Sequence, residues 1–281
     1  MRPARILAAL RIQRGRVLSR SSENREPDVV RLADDLVAGG ATEIAVIELA
    51  QHTGDLDDTL SLVRKLRRAR PHLRLAAGGG VSGLDDVGRI LQAGADRAIV
   101  GTAAIVNPEL LRQATQRFGG EGILASMEVR LERRRGEETV DVAGDRALLL
   151  DTETTGGWYR VYVRGGTTAT ARDAISWAGQ VAEMGVNEMM VTSIDPSGEA
   201  SHYDLELIGR ISETVPARVL AAGPMPARDT LLRLFTLAGG AGIVVLDAAL
   251  RVPDELAALR RDLDRAGVPL DAPQADHPRQ G

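Results

Sequence analysis

Residues 75–104, LAAGGGVSGLDDVGRILQAGADRAIVGTAA, read as a copy of residues 220–249, LAAGPMPARDTLLRLFTLAGGAGIVVLDAA. The offset between the two segments is constant, so Leu75 matches Leu220 and each later position matches in turn. Each copy contains an apolar run, a glycine-rich or proline-containing turn and an amphipathic segment. Repeats at half-chain spacing predict a duplicated strand–helix unit.

A second set of repeats has the same offset. Residues 6–12 (ILAALRI) match residues 123–129 (ILASMEV), and residues 42–50 (TEIAVIELA) match residues 187–195 (NEMMVTSID). The duplication therefore covers strand-forming segments throughout both halves of the chain.

Eight short runs rich in valine, isoleucine, leucine and alanine are typical of strands buried on both faces. Strands are predicted near 6–12, 43–49, 73–77, 97–100, 123–129, 188–192, 218–222 and 242–246. Helices are predicted near 28–38, 56–70, 84–93, 108–118, 173–184, 204–214, 229–238 and 253–265. Eight strand–helix pairs predict a (β/α)8 TIM barrel with an internal half-barrel duplication, forming one domain over residues 1–267.

A β-rich insertion is predicted after the fifth strand, at about 131–172. Alternating apolar and polar residues at 139–142 and 158–163 indicate a hairpin that projects from the carboxyl-terminal rim of the barrel. The aromatic residues Trp158 and Tyr159 are expected to pack the insertion onto the barrel, and stacking on a ligand is the alternative.

Composition excludes several classes of function. A net charge of −4 and a pI near 5.7 argue against non-specific binding of nucleic acid. The chain has no cysteine, which excludes disulfides and thiol catalysis. No apolar run is long enough to span a membrane, and no signal peptide is recognisable, so a cytoplasmic protein is expected. No motif requires a cofactor or a metal, and residues 268–281 are expected to form a disordered tail.

The active site of such a barrel lies at the carboxyl-terminal ends of its strands. There, Gly80 ends a run of three glycines, and Gly101 and Thr102 precede a helix. Glycines let backbone N–H groups approach an oxyanion closely. These residues predict a phosphate cradle, defined here as Gly80, Gly101 and Thr102; the alternative is that the glycines only form tight turns.

The same place in the second half differs. Pro224 has no N–H to donate, and Asp247 stands where the first half has Thr102. A carboxylate repels a phosphate dianion. We expect the second half to bind no phosphate, or to bind it only with a compensating cation.

Arg11 and Glu128 are related by the repeat, and both are expected at the barrel mouth. Arginine cannot act as an acid or base because its pKa exceeds about 12. Glu128 can act as either if its pKa is tuned. The simplest arrangement is an ion pair between the two residues, which is either purely structural or leaves Arg11 able to grip a substrate anion.

Further polar residues are candidates for the mouth. Glu48 and His52 follow the second strand, and the polar turn containing Asp195 and Gly198 follows the sixth. His202 lies beyond that turn, and histidine is the side chain that most often transfers protons in catalysis. An exposed histidine without a role is the alternative.

Four charged residues of alternating sign fall at the starts of strands, at the opposite end of the barrel. They are Arg5, Glu43, Arg97 and Glu188, called the basal ring below. A ring of this kind is either a plug that seals the barrel or a gate.

These features together resemble the cyclase subunit of imidazole glycerol phosphate synthase and, more distantly, the ProFAR isomerase of histidine biosynthesis. The likeness covers residues 4–266. The most similar segments are GRV at 15–17, AGGGVSGLDDVGRILQAGADRAIVGTAAIVNPELL at 77–111, EMMVTSIDPSGEASHYDLELI at 188–208 and ELAALRRDLDRAGVPL at 255–270.

The resemblance implies a cyclase that takes ammonia from a glutaminase docked at the barrel bottom and closes an imidazole ring on a substrate with two phosphates. The two catalytic aspartates of the family align with Arg11 and Glu128. Its first phosphate site is retained at Gly80 and Thr102.

By the same resemblance, the second phosphate site of the family is altered in this chain, whereas the glutaminase-facing end is retained. The second phosphate site is altered at Gly223-Pro224 and Asp247, and its aspartate–glycine turn reads Ser197-Gly198. A serine that follows the fifth strand's insertion aligns with Arg164. The basal ring and Asp96, where the family meets its glutaminase, are retained.

Three hypotheses follow. In the first, the chain is a divergent paralogue with altered lyase, cyclase or isomerase chemistry on a phosphorylated small molecule. Gly80 and Thr102 would hold the phosphate, and Arg11 or Arg164 would hold a second anionic group. Glu128 or His202 would transfer protons. Alternatively, it is a genuine histidine-biosynthesis cyclase in which Glu128 performs both proton transfers. Third, it is a non-catalytic partner of a glutamine amidotransferase.

Overall fold

The computed structural model describes residues 3–18, 28–49, 56–133, 157–198, 200–248 and 253–272. Its strands are β1 (Arg5–Gln13), β2 (Arg16–Val17), β3 (Glu43–Glu48), β4 (Leu75–Gly78), β5 (Arg97–Val100), β6 (Ile123–Arg133), β7 (Gly157–Val163), β8 (Thr168–Asp173), β9 (Glu188–Ile194), β10 (Ala200–His202), β11 (Arg218–Gly223) and β12 (Gly242–Val245). Its helices are α1 (Val29–Ala38), α2 (Leu56–Ala69), α3 (Leu84–Gln92), α4 (Thr102–Val106), α5 (Glu109–Phe118), α6 (Ala174–Glu183), α7 (Leu205–Thr214), α8 (Arg228–Thr236) and α9 (Pro253–Arg265), with a 3-10 turn at Gly120–Gly122.

Eight of these strands close into a parallel barrel. Their order is β1, β3, β4, β5, β6, β9, β11 and β12, and β12 pairs with β1 to complete the circle. Each predicted strand and each predicted helix is present, so the (β/α)8 barrel is confirmed. The short helix α4, directly after β5, was not predicted because one turn leaves no periodicity to detect.

The strands have two apolar faces because each lies between the barrel interior and the helices. Small and branched side chains fill the interior. They include Leu7, Ala9, Ala45, Ala76, Ile99, Leu124, Met190, Leu220, Ala222 and Val244. Alternate residues of the same strands point outward into the larger core beneath the helices. Aspartate caps fix several helix starts; for example, the carboxylate of Asp173 accepts from the backbone N–H groups of Ile175 and Ser176.

The insertion after the fifth barrel strand is β-rich, as predicted. β6 runs on beyond the barrel and pairs antiparallel with β7, which pairs antiparallel with β8. Trp158 and Tyr159 are buried, as expected if they pack the insertion onto the barrel. The alternating segment 139–142 lies outside the described residues.

The carboxyl-terminal segment differs from expectation at its beginning. Ala4 bridges Leu270, and the carboxylate of Asp271 accepts from Arg74 at 2.8 Å. Residues 268–272 are therefore ordered against the first strand, because backbone pairing and an ion pair hold them there. Residues 273–281 lie outside the described part of the chain. No described helix is both long and apolar enough to cross a membrane.

Candidate active site at the barrel mouth

A cavity of about 400 Å³ opens at the carboxyl-terminal ends of the barrel strands. Predicted site residues in its lining are Arg11, Glu48, Gly80, Gly101, Thr102, Glu128, Arg164 and Gly198. The volume lies within the usual range for small-molecule sites. Residues far apart in the sequence thus meet at one mouth.

The cradle depends on a close approach of backbone segments at the end of β4. Gly79 has φ +93°, and a Cβ atom at this position would lie 2.2 Å from the carbonyl oxygen of Glu48. Only glycine fits such a contact. Gly80 follows with φ +71° and lines the cavity. The Gly79–Gly80 turn therefore brings main-chain atoms, rather than side chains, to the mouth.

The hydroxyl of Thr102 completes the cradle. Its Oγ1 accepts a hydrogen bond of 3.0 Å from the backbone N–H of Arg164. A threonine hydroxyl both donates and accepts, so the hydrogen of this group can still be donated to a bound anion. Thr102 also begins α4, and the first N–H groups of a helix have no intrahelical acceptor.

The turn between β7 and β8 crosses the mouth. Arg164, Gly165 and Gly166 have φ values of +56°, +62° and +76°. A Cβ atom at Gly166 would lie 2.5 Å from the carbonyl oxygen of Gly198, in the turn after β9. Two glycines are therefore required where these turns touch, and their contact places Arg164 and Gly165 on the cavity.

Glu128 is a partly buried carboxylic acid on β6 that faces this cavity. Burial raises its pKa to about 7, and the backbone N–H of Gly166 acts in the opposite direction. Near neutral pH the group populates both protonation states. It can therefore accept and donate a proton, as a general acid–base catalyst must.

Arg11 lines the same cavity, but the expected ion pair is not formed. Among the described residues, Arg11 makes no ion pair with Glu128 and does not contribute to the shift of its pKa. The physical reason is the barrel's width, since three strands separate β1 from β6 in either direction around the barrel. The guanidinium and the carboxyl group face the cavity from opposite sides.

Two further predicted residues do not line the cavity. His202 lies exposed on β10, with Nδ1 2.7 Å from Oγ of Ser201. Asp195 accepts hydrogen bonds from Ser197, at 2.8 Å from its backbone N–H and 2.5 Å from its hydroxyl. β10 folds back antiparallel on β9 and carries His202 with it, while Asp195 stabilises its own turn. His52 lies outside the described residues.

At the ends of β11 and β12, in the second half of the mouth, polar groups of the chain bond to each other. The carboxylate of Asp247 accepts a hydrogen bond of 2.8 Å from the backbone N–H of Met225. The ring of Tyr203 lies 2.9 Å from the point where a Cβ atom would be on Gly223. The backbone N–H of Met225 is therefore already bonded, and the absence of phosphate binding in this half stays a prediction.

The basal ring closes as a circle of ion pairs. Arg5 contacts Glu43 and Glu188, and Arg97 contacts the same two glutamates from the other side. Burial raises the pKa of Glu43, and the guanidinium of Arg97 opposes this shift. Arg218, which sequence reasoning missed, also reaches Glu188 at 3.5 Å. Arg218 begins β11, so the rule that selected the other ring residues, a charged residue at the start of a strand, could have identified it.

Asp96 lies next to the ring, at the same end of the barrel. Its carboxylate accepts from the backbone N–H of Leu75 and from Arg67, both at 2.8 Å. Its side chain remains 36% exposed, so a partner could still reach it.

Comparison with known proteins is consistent with this geometry. The sequence profile of the family described as "Histidine biosynthesis protein" matches residues 5–250. The chain belongs to this family.

Among its relatives is the imidazole glycerol phosphate synthase subunit HisF of Methanococcus vannielii, 27% identical over 95% of this chain and 98% of the relative. The same subunit of Methanocaldococcus jannaschii is 32% identical over 78% of this chain and 80% of its own length. That of Myxococcus xanthus is 34% identical over 78% of both chains. This member of the histidine biosynthesis family is therefore a HisF-type barrel.

Some lining residues of this HisF-type barrel were not predicted. Ser126 on β6 and Thr192 on β9 face the cavity. Ser126 precedes Glu128 by two positions, so strand alternation places both on the same face. That alternation was the signal available for Ser126. Within the described residues, no group of three or more histidine, aspartate and glutamate side chains is placed to hold a metal ion.

Proposed function

We propose that this HisF-type barrel binds a phosphorylated small molecule at its mouth and transfers protons to and from it through Glu128. The observation that carries the proposal is the position of Glu128, which faces the same cavity as the cradle and has a pKa raised by burial to about 7. An anion held at the cradle would place the rest of the ligand within the cavity, where this carboxyl group can reach it.

The other mouth residues have complementary roles in this proposal. Gly80, Gly101 and Thr102 hold the phosphate. Arg164 or Arg11 holds a second anionic group, for which a guanidinium is well suited. The reaction is of the lyase, cyclase or isomerase type, in which proton transfers accompany the making and breaking of bonds.

We further propose that the chemistry differs from that of the named relatives. Arg11 occupies the position that the repeat matches to Glu128, and an arginine cannot exchange protons near neutral pH. Only one of the two repeat-related residues can thus act as acid or base. If the chain nevertheless performs the reaction named in its relatives, Glu128 must perform both proton transfers. A steady-state assay with ammonia and the substrate of that synthase distinguishes altered chemistry from the relatives' reaction. If the chemistry is altered, we expect a rate near background.

Calorimetric titration tests the binding proposal. Ribose 5-phosphate should bind and ribose should not, and Thr102→Asp should abolish binding by placing a carboxylate at the cradle. Thr236→Asp, on the exposed end of α8, is a matched control that should leave binding unchanged. Absence of binding by any phosphorylated ligand would count against the proposal.

A second proposal concerns the opposite end of the barrel. We propose that the base docks a glutaminase subunit, because the Asp96 side chain stays 36% exposed beside the buried basal ring and the relatives are named as subunits of a synthase. Asp96→Lys should weaken co-purification with such a subunit. Asp229→Lys, an exposed carboxylate on α8, is the control. A chain that stays monomeric in the presence of glutaminases would contradict this proposal.

A further inference from the structure

The internal repeat identifies a counterpart of the cradle in the second half of the barrel. The residues Gly223, Pro224, Met225, Leu246 and Asp247, called the second-half cradle, match Gly78, Gly79, Gly80, Gly101 and Thr102. Because both sets follow equivalent parallel strands, both lie at the mouth. Their contacts differ, and the difference bears on which ligand the proposed function can use.

The donor of the second-half cradle is already bonded. Met225 matches Gly80, and its backbone N–H donates to Asp247 Oδ1 at 2.8 Å. A charge-assisted hydrogen bond of this kind is stronger than a neutral one. An incoming phosphate would have to displace a carboxylate that is covalently part of the chain. Asp247 therefore stands where an anion would otherwise bind.

Neighbouring side chains leave little room for a second anion. Tyr203 is 8% exposed, and its ring packs directly over Gly223. Pro224 contributes no N–H. Of the described residues of the second-half cradle, Leu246 is the one that lines the cavity, and it presents an apolar side chain. Within the part of the chain that the structure describes, β11, β12 and the turns after them thus add no polar or charged side chain to the wall opposite the cradle.

We propose that Asp247 is a specificity-determining residue that occupies the second-half cradle from within, so that the ligand of this barrel carries one phosphate and bisphosphates are rejected. This inference rests on the proposed function and adds the number of phosphates. Like charges a few ångströms apart in a partly buried site change affinity by about tenfold or more.

Ribulose 5-phosphate and ribulose 1,5-bisphosphate form a matched pair of probes that differ by one phosphate. We expect the full-length wild-type chain to bind the monophosphate at least about tenfold more tightly than the bisphosphate, as measured by calorimetry. Asp247→Ser should reduce that ratio to about threefold or less, because it removes the charge and releases the N–H of Met225. Asp229→Ser on exposed α8 should leave the ratio unchanged.

Tighter binding of the bisphosphate by the wild type would overturn the inference, and this measurement does not depend on the folding of any variant. An unchanged ratio in a folded Asp247→Ser variant would also overturn it. If the wild type binds neither ester, the proposed function fails. The role of Asp247 would then still be supported if Asp247→Ser binds inorganic phosphate and the wild type does not. If neither protein binds inorganic phosphate, that role is refuted.

Discussion

The two halves of the barrel mouth have equivalent strands, but the residues that follow these strands differ in conformation and hydrogen bonding. In the first half, Gly79 and Gly80 bring main-chain atoms to the cavity, and Thr102 presents a hydroxyl. In the second half, the carboxylate of Asp247 bonds to the equivalent backbone N–H. The strands that carry these residues pair in parallel in both halves, with a difference of one residue in register. Residues at the rim can thus differ in backbone conformation and hydrogen bonding while the parallel strands beneath them keep their pairing.

The largest effect is expected where the halves differ most in backbone, at Gly79 and its counterpart Pro224. Gly79→Ala places Cβ 2.2 Å from the backbone oxygen of Glu48 at a positive φ. It should lower the free energy of unfolding by about 3–4 kcal/mol. Gly267→Ala has a similar φ of +72° with no atom within 4 Å, and should cost about 1 kcal/mol. Equal losses by urea denaturation would show that the close approach at Gly79 is unimportant.

Glu128→Gln removes the carboxyl group that titrates at the mouth. Burial raises the pKa of Glu128 from 4.5 to about 7, so the folded state binds the proton more tightly than the unfolded state. The wild type therefore loses stability as the pH rises from about 4.5 to about 7, and the variant does not. Above pH 7 the variant should be more stable by up to about 3 kcal/mol, and below pH 4.5 the difference should vanish.

Urea denaturation across this pH range measures the difference. Glu213→Gln, at an exposed position on α7, is the matched control. A variant of Glu128 that parallels the wild type at every pH would mean that the carboxyl group is not buried as described.

Gly166→Ala tests whether the insertion belongs to the site. The added Cβ would lie 2.5 Å from the carbonyl oxygen of Gly198, so the turn must move away from Thr102 and Glu128. We expect a loss of about 2 kcal/mol in stability, with weaker phosphate binding and a higher pKa of Glu128. The expected rise follows because the Gly166 N–H lowers that pKa.

The control for Gly166→Ala is Gly267→Ala, which has φ +72° and no atom within 4 Å of the added Cβ. It carries the strain of a positive φ without the contact. Carboxyl-carbon NMR titration of Glu128 and calorimetry with phosphate should distinguish the two variants. If both variants bind phosphate equally and show the same pKa of Glu128, the turn at Gly166 does not contribute to the site.

The smallest effect is expected from Asp247→Asn. The amide oxygen can still accept from the N–H of Met225, but the bond loses its charge. Stability should fall by about 1 kcal/mol or less. If chemical denaturation instead showed an increase in stability, the partly buried charge of Asp247 would be destabilising despite its hydrogen bond to this N–H.

The sequence predicted the barrel well because each strand carries its own signal. β1, β4 and β12 are short apolar runs with most residues buried, and the internal repeat indicated their order in the two halves. It also placed Gly80 and Thr102 at the mouth, since both follow predicted strand ends. Helix α4 was missed because five residues are too few to show a period.

The errors at the site come from distances and folds that local pattern does not encode. The repeat correctly placed Arg11 and Glu128 at the mouth, yet the barrel's diameter keeps them apart. His202 was expected at the mouth, but the short strand β10 pairs back on β9. The contact of Gly166 with Gly198 joins two loops far apart in the chain, so no sequence signal could reveal it.

We propose that one half of the mouth is open to an anion and that Asp247 closes the other half. A crystal structure of the chain soaked with ribose 5-phosphate would reveal this difference. We expect phosphate density bounded by Gly80, Gly101 and Thr102, with the ester facing Glu128, and an unbroken hydrogen bond between Asp247 and Met225. Phosphate density between Met225 and Asp247, or an empty first cradle, would contradict it.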